Sequence, residues 1–80
     1  MNTNDVLNKV QETMRGVFEN PQINLNLQSS AKDISEWTSL NHINLIVALE
    51  HTFNIRFDLG EVEDLANIEE LVHLIIEKSQ

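Results

Sequence analysis

The hydrophobic positions of this chain recur mainly at spacings of three and four, which is the period of an amphipathic α-helix. The first apolar stripe of this kind consists of Val6, Leu7, Val10, Met14, Val17 and Phe18. It predicts a helix over residues 4–18 with Thr3 or Asn4 as its N-cap. Pro21 follows shortly afterwards, and its ring cannot be accommodated inside a helix. The first helix therefore ends before Pro21.

A mostly polar segment over residues 19–30 follows, and Ile23, Leu25 and Leu27 alternate within it. Alternation of this kind is also compatible with a short strand. No second segment has the matching alternation needed to pair with it, and an unpaired strand is not stable. We therefore predict a long loop whose alternate side chains fill the space between helices.

A strongly apolar segment then predicts a second helix over residues 39–52, with Thr38 as its N-cap. The side that we expect to be buried consists of Leu40, Ile43, Ile46, Val47, Leu49 and Phe53. Leu45 and Ala48 extend the apolar surface almost around the helix. A helix with this composition either lies at the centre of a bundle or binds partners.

Two spacings typical of capping boxes predict two further helices. The first, from Asp58 to Glu61, begins a short helix over residues 59–65 that buries Leu59, Val62 and Leu65. The second, from Asn67 to Glu70, begins a helix over residues 68–78 that buries Ile68, Leu71, Val72, Ile75 and Ile76. The pattern predicts an all-α fold in a single domain over residues 1–80. This fold is a four-helix bundle with one short helix and a long loop between the first and second helices.

The amino-acid composition limits the kinds of molecule that this chain is expected to bind. The 13 acidic and 5 basic residues give a formal net charge of −8, which repels nucleic acid and anionic lipid and attracts basic protein surfaces. No cysteine is present, so any thiol chemistry must come from an attached group. The N-terminus lacks the pattern of a secretory signal, and no apolar stretch is long enough to span a bilayer. We expect a cytoplasmic monomer without membrane insertion.

The residue types that often bind metals do not form a metal-binding pattern here. His42, His51 and His73 show no spacing of four that would place two imidazoles together on a helix, so we expect them at the surface. The acidic segment over residues 58–69 lacks the ligand spacing of a calcium loop. We assign no metal. An esterase that uses Ser39 and His42 is disfavoured because no Gly-x-Ser-x-Gly motif accompanies them.

Ser39 is the most informative residue, because it lies where a polar loop gives way to the second helix. A helix N-terminus favours phosphate, although a serine there often only caps the helix. The surrounding residues 33–50 resemble the prosthetic-group segment of acyl carrier proteins, and the resemblance runs from about residue 33 to residue 76. The resemblance consists of an Asp-Ile-x-Glu-Trp lead-in, a Leu-Ile-x-Ala-Leu-Glu continuation and the Phe-Asn-Ile-Arg-Phe segment. The central triplet is Thr-Ser-Leu, where the family usually has Asp-Ser-Leu.

The resemblance implies a specific chemistry. A phosphopantetheinyl transferase would attach 4'-phosphopantetheine from coenzyme A covalently to Ser39. The thiol of this arm would hold acyl or aminoacyl groups as thioesters and present them to acyl-loading and acyl-processing enzymes. The protein itself would not be an enzyme. Candidate linings for a bound acyl chain, which core packing explains equally well, are Leu49, Phe53, Phe57, Leu65 and Ile75.

The chain also departs from the family pattern. Thr38 keeps a capping oxygen but lacks the usual aspartate's charge, for which Asp33 and Glu36 are possible substitutes. Asn41, Asn44 and His51 take the places of carboxylates that fatty-acid carriers usually have on the second helix. These changes favour a specialised polyketide, nonribosomal-peptide or lipid pathway over housekeeping fatty acid synthesis, although drift of a housekeeping carrier is an alternative.

The departures also lead us to predict how the second helix recognises partners. The predicted partner-binding residues are Thr38, Leu40, Asn41, Asn44, Leu45, Val47 and Glu50. Within this set Glu50 is the principal charge. We expect the fold to survive Val47→Asp but not Ile43→Asp, which would bury a charge in the core. Trp37 is expected to pack under the loop near Leu40 or Asn41. The alternative function is an unmodified helical interaction module that has lost prosthetic-group loading.

Overall fold

The computed structural model of the chain describes residues 2–63 and 65–80, and the regular elements within them are all helical. The four α-helices are α1 (Thr3–Val17), α2 (Ser39–Phe53), α3 (Leu59–Glu63) and α4 (Ile68–Lys78), with a single 3₁₀ turn at Ala31–Asp33. The predicted all-α, four-helix fold is confirmed. No helix in the described residues is long and apolar enough to cross a membrane.

Capping side chains set the starts of three helices. Asn2 caps α1, and its side-chain oxygen accepts a hydrogen bond from the Asp5 N–H at 2.9 Å. The predicted caps of α1, Thr3 and Asn4, are therefore wrong by one or two residues, because Asn2 provides an equally good acceptor one residue earlier. The predicted cap of α2, Thr38, is confirmed.

The lengths of the helices follow the prediction closely except in α3. The bounds of α4 agree with the prediction, and α2 is one residue longer. Helix α3 ends at Glu63, so Leu65 is not helical as we had predicted, while Asp64 lies outside the described residues. A helix as short as α3 has few internal hydrogen bonds, and its end is set by its surroundings more than by its sequence.

A single hydrophobic cluster forms the core, with α1 packed against both α2 and α4. The side chains of these three helices that are completely buried are Val6, Val10, Met14, Leu45, Leu49, Ile68, Leu71, Val72 and Ile75. From α3 only Val62 is buried. Ile76, predicted to be buried on α4, is only half-buried.

The segment between α1 and α2 is a loop that packs onto the helices, as predicted. Ile23 is buried, and Leu25 and Leu27 pack against the core. Side chains of α1 bind the backbone of the loop: Arg15 Nε donates to the Ile23 carbonyl, and Gln11 Oε1 accepts from the Leu25 N–H, both at 2.7 Å. These side chains therefore satisfy two backbone groups of the loop without a partner strand.

The same loop also completes the beginning of α4. The carbonyl of Ser29 accepts from the Ile68 N–H at 2.8 Å, and that of Leu27 accepts from the Glu69 N–H at 2.9 Å. Amide groups in the first turn of a helix have no partner within the helix. The loop thus ties the start of α4 to α1 and fixes the connection that leads to α2.

The orientation of α2 differs from the prediction. Leu40, Ile43 and Val47 were assigned to the buried side, but they are 69%, 60% and 58% exposed. Leu45 was assigned to a partner-binding surface, but it is completely buried. The side of α2 that meets α1 is centred on Leu45 and Leu49, which leaves the Ile43 side to solvent. The assignment of Leu59 to the core is also wrong, because that side chain is 75% exposed.

Two leucines of α2 give a matched test of this orientation. We expect Leu45→Ala to lower the free energy of unfolding by about 2–5 kcal/mol, because it leaves a cavity in the core. We expect Leu40→Ala to change it by about 0.5 kcal/mol or less, because the side chain is exposed. Urea unfolding followed by circular dichroism measures both values, and equal losses would contradict the orientation.

Candidate functional site

Ser39 is exposed and is the first residue of α2. Thr38 precedes it with an extended backbone, and its hydroxyl oxygen accepts from the Asn41 N–H at 3.2 Å. The Thr38 carbonyl accepts from the His42 N–H at 2.8 Å and closes the first helical turn. Ser39 therefore lies at the end of α2 where the helix dipole is positive and favours an anion.

Hydrogen bonds hold the segment before Ser39 in place. The Trp37 N–H donates to the Ile34 carbonyl at 3.0 Å, and the Thr38 N–H donates to the Glu36 carbonyl at 2.9 Å. The Asn41 side-chain amide also donates to the Glu36 carbonyl, at 2.7 Å. The backbone that presents Ser39 is thus fixed from both sides of the helix start.

The 3₁₀ turn at Ala31–Asp33 was not predicted. Asp33 Oδ2 accepts from the Ser30 N–H at 2.9 Å and from the Ser30 hydroxyl at 3.3 Å. The signal was present as a serine followed three residues later by an acid, which is a common helix start. No apolar periodicity accompanies this pair, so a helix was not predicted.

The two carboxylates proposed as substitutes for a charge at Thr38 already have partners. Asp33 caps the 3₁₀ turn, and Glu36 accepts from the Asn20 side-chain amide at 2.8 Å. A hydrogen bond from its own backbone N–H, followed by that of Asn20, lowers the pKa of the Glu36 carboxyl below its ordinary value. Both acids support the approach to Ser39, and the first turn of α2 itself contains no acid.

A groove of about 640 Å³ lies between α2 and α3 and begins beside Ser39. Its described lining consists of Ala31, Trp37, Thr38, Ser39, His42, Ile43, Ile46, Val47, Glu50, Phe57, Leu59, Val62, Glu63 and Leu65. Ile46 and Val62 are buried, whereas Ile43, Val47 and Leu59 are exposed. The groove therefore has buried apolar side chains in its lining together with exposed ones, both apolar and polar, that solvent still reaches.

Of the residues considered as linings for an acyl chain, Phe57 and Leu65 line this groove. Leu49 and Ile75 are completely buried in the core, and Phe53 packs against the core without lining the groove. The rotation of α2 explains the difference, because the side with Leu49 faces α1 and the side with Ile43 faces the groove.

His42 is half-buried and joins separate parts of the site, so its assignment to the surface is wrong. Its Nδ1 accepts from Trp37 Nε1 at 2.9 Å, and its Nε2 lies 2.8 Å from the Val62 carbonyl oxygen. The Trp37 ring stacks on His42 and also contacts Phe18. Trp37 thus packs against the core, and its aromatic neighbours are Phe18 and His42.

The other two histidines, His51 and His73, are exposed as predicted. Within residues 2–63 and 65–80, no group of three or more histidine and acidic side chains is arranged to hold a metal ion.

Comparisons with known proteins identify the family of this chain. The family model described as "Phosphopantetheine attachment site" matches residues 8–75. The solution NMR structure of a holo acyl carrier protein from Geobacter metallireducens is 41% identical, with a TM-score of 0.84. The match covers 91% of this chain and 84% of that chain. This chain belongs to the acyl carrier protein family. Comparison with curated proteins gives no match.

Several predictions made from the resemblance are now established at the level of the family. The chain is a carrier without catalytic activity of its own, and its covalent prosthetic group is 4'-phosphopantetheine. Carriers of this family interact with phosphopantetheinyl transferases and with acyl-processing enzymes. The acyl group and the individual partners of this carrier are matters of proposal.

The structure places the predicted partner-binding residues of the carrier in different environments. Thr38, Leu40, Asn44 and Val47 are exposed. Asn41 and Glu50 are half-buried: Asn41 binds the segment before α2, and Glu50 Oε2 accepts from the Phe57 N–H at 2.8 Å.

Leu45 does not belong to that surface, because it lies in the core. Prediction from sequence missed Ile43 and Leu59, which are exposed beside Val47. Their position follows from the rotation of α2 against α1, and no pattern in the sequence indicated it.

The cap of α2 can be tested separately from any function of Ser39. We expect Thr38→Val to lower the free energy of unfolding by about 1 kcal/mol, because the Asn41 N–H loses its acceptor. Thr38→Ser retains the acceptor and is expected to stay within about 0.5 kcal/mol of the wild type. Urea unfolding measures both, and a valine variant as stable as the serine variant would contradict the cap.

Proposed function

We propose that Ser39 carries the 4'-phosphopantetheine arm and that the groove between α2 and α3 receives the apolar part of its cargo. The observation that carries the proposal is the position of Ser39, exposed at the start of α2 and among the residues that line the groove. A phosphodiester on this oxygen would lie at the positive end of the helix dipole. The residues present therefore fit the prosthetic group of the family.

The other serines support this choice by their contacts. The hydroxyl groups of Ser29, Ser30, Ser35 and Ser79 each take part in a hydrogen bond within the chain. In the described residues no such bond engages the hydroxyl of Ser39. Its oxygen is exposed and is not held by another group of the chain when it meets a transferase.

Attachment would form one phosphorus–oxygen bond and break another. The Ser39 oxygen would attack the phosphorus of the phosphopantetheine moiety of coenzyme A and lose its proton to a base of the transferase. The pyrophosphate linkage of coenzyme A would break, with adenosine 3',5'-bisphosphate as the leaving group. When bound, the arm supplies the thiol that forms thioesters, which this chain lacks because it has no cysteine.

The partner surface that we propose is a rotated form of the predicted one. It consists of Leu40, Ile43, Asn44 and Val47 on α2, together with Leu59 on α3. These side chains are apolar or uncharged, and neighbouring exposed apolar residues on a small protein often mark an interaction site. Contact with partner enzymes would therefore depend on apolar area more than on charge.

This surface favours a carrier of a specialised polyketide, nonribosomal-peptide or lipid pathway over one of housekeeping fatty acid synthesis. Asn44 and His51 are exposed where fatty-acid carriers usually present carboxylates. Glu50, the acid retained in this helix, is half-buried and bound to the Phe57 N–H. A partner that recognises α2 mainly by charge would find little charge there.

The attachment residue can be tested by mass spectrometry. We expect the wild-type chain to gain the mass of one phosphopantetheinyl group when treated with coenzyme A and a broad-specificity transferase. We expect Ser39→Ala to gain none, while Ser35→Ala loads like the wild type. Loss of Ser39 as a first-turn residue should cost at most about 1 kcal/mol, so circular dichroism should show an intact fold.

Two outcomes of that experiment would contradict the proposal in different ways. Full loading of Ser39→Ala would show that another residue carries the arm. A wild-type chain that stays unloaded under conditions that load another carrier would favour the alternative, a helical interaction module that has lost loading.

The partner surface can be tested by the kinetics of the same transferase. We expect Val47→Asn to raise KM roughly fivefold or more, because it removes apolar contact at the interface without adding charge. His73→Asn, on the exposed face of α4, should leave KM unchanged. Ile43→Asn should behave like Val47→Asn and remain folded, since Ile43 is exposed. Unchanged KM values for both α2 variants would contradict the surface.

A further inference from the structure

His42 connects three separate parts of the fold through its two ring nitrogens. The ring belongs to α2, its Nδ1 is 2.9 Å from Trp37 Nε1 in the segment before α2, and its Nε2 is 2.8 Å from the Val62 carbonyl oxygen of α3. Stacking of the Trp37 and His42 rings, with centroids 5.9 Å apart, holds the imidazole plane in position. The hydrogen bonds lie beside Ser39 at the groove.

These contacts determine the tautomer of His42. The indole nitrogen of Trp37 can only donate, so Nδ1 of His42 must accept and carries no proton. The proton is therefore on Nε2, which donates to the Val62 carbonyl. The neutral ring satisfies both neighbours, whereas a second proton on Nδ1 would face the indole N–H donor.

Helix α3 has few other attachments in the described residues. Only Val62 of α3 is buried. The remaining polar contact from α3 to another helix is an ion pair with α4, in which Lys78 Nζ lies 2.6 Å from Glu61 Oε1. The hydrogen bond from His42 is thus one of three attachments of α3 among the described residues, with the buried Val62 side chain and the Glu61–Lys78 ion pair.

We propose that His42 is a positioning residue that holds α3 against α2 and keeps the groove beside Ser39 open, and that a proton on Nδ1, by setting two N–H donors against each other, turns the ring away from Trp37 and so breaks the bond from Nε2–H to α3. The role of His42 in positioning α3 does not depend on any prosthetic group. Its consequence for cargo rests on the proposed function of the groove. A carrier built in this way would hold its cargo less firmly in acid.

The charged groups in the groove and in the segment beside His42 are carboxylates. Glu63 of α3 and Glu50 of α2 line the same groove. Glu36, in the segment before α2, has a pKa lowered mainly by its own backbone N–H.

Glu61 of α3 has a pKa lowered from its ordinary value of 4.5, chiefly by Lys78, whose own pKa Glu61 raises. A lowered carboxyl pKa means that the stabilisation by this ion pair is present above the ordinary value and is lost only as the pH falls through the lowered one. Between about pH 7.5 and 5.5, where imidazoles change charge, the ion pair therefore stays intact.

Substitution of His42 by glutamine is designed to keep both hydrogen bonds of the side chain while removing its ability to become charged. The side-chain amide introduced by His42→Gln has an oxygen to accept from Trp37 and an N–H to donate to the Val62 carbonyl, but it cannot be protonated in this range. His42→Leu removes both hydrogen bonds at similar volume. His73→Gln, on the exposed face of α4, controls for the titration of another histidine.

The experiment uses the full chain without the arm, followed by NMR from about pH 7.5 to 5.5, the range in which imidazoles titrate. Trp37 is the sole tryptophan, so a single indole N–H resonance reports its bond to His42. As long as the bond from Trp37 is present, we expect the proton of the imidazole on Nε2. On acidification the indole resonance should shift, and the hydrogen-exchange protection factors in α3 should fall roughly fivefold, the effect of losing one hydrogen bond.

The variants give the decisive comparison. We expect His42→Gln to keep the wild-type protection of α3 at neutral pH and to lose none of it in acid. In His42→Leu, the protection of α3 should be as low at every pH as it is in the wild type in acid. In His73→Gln, the protection of α3 should respond to acid as it does in the wild type. The proposal is overturned if the imidazole titrates without a change in α3, or if the glutamine variant responds to acid as the wild type does.

A second arm tests the consequence for cargo with the octanoyl-loaded carrier. We expect NMR contacts between the acyl methylene groups and Val62 at neutral pH that weaken in acid in the wild type and persist in His42→Gln. If such contacts are missing throughout the pH range while α3 still responds to His42, the groove is not the cargo site. In that case the consequence for cargo is wrong and the positioning role stands.

Discussion

The packing of α1 against both α2 and α4 is the constraint on which the rest of the structure depends. A chain of 80 residues without cysteine has one hydrophobic core, and no disulfide supplements it. The α1 side chains Val6, Val10 and Met14 lie completely inside that core. The side of α2 that they select, with Leu45 and Leu49, determines which residues of α2 remain for the groove and for partners.

Polar contacts then fix the end of α2 that begins with Ser39, which the apolar core alone would not hold in place. The loop between α1 and α2 is held by Arg15 and Gln11 of α1 and in turn completes the first turn of α4. Closer to Ser39, Thr38 and Asn41 fix the helix start through bonds to the backbone. Each of these bonds satisfies a backbone group that a long irregular loop would otherwise leave unpaired. The result is an exposed serine on a rigid support.

Helix α3 contrasts with α1 and α2, because little of its attachment comes from buried apolar side chains. It has one buried side chain, and its attachments to its neighbours are mainly polar, through His42 on one side and Lys78 on another. Polar contacts at a partly exposed surface contribute modest free energy and respond to protonation, whereas the apolar contacts of α1 do not. With the proposed role of His42, the carrier combines a fixed serine with a groove wall that is easier to displace. That combination suits a protein that must both hold cargo and release it.

The sequence by itself determined the helices and the family. Periodic apolar positions and capping residues predicted the bounds of α2 and α4 to within one residue, because these signals act locally. The residues around Ser39 identified the prosthetic group, since the family motif is a short contiguous segment.

Local patterns failed where a helix is apolar on nearly every side. In α2, the packing against α1 decides that Leu45 is a core residue and Ile43 is not. The spacing of apolar residues within α2 does not contain that information. Only the tertiary structure likewise decided that His42 is half-buried, because its partners Trp37 and Val62 come together through the fold.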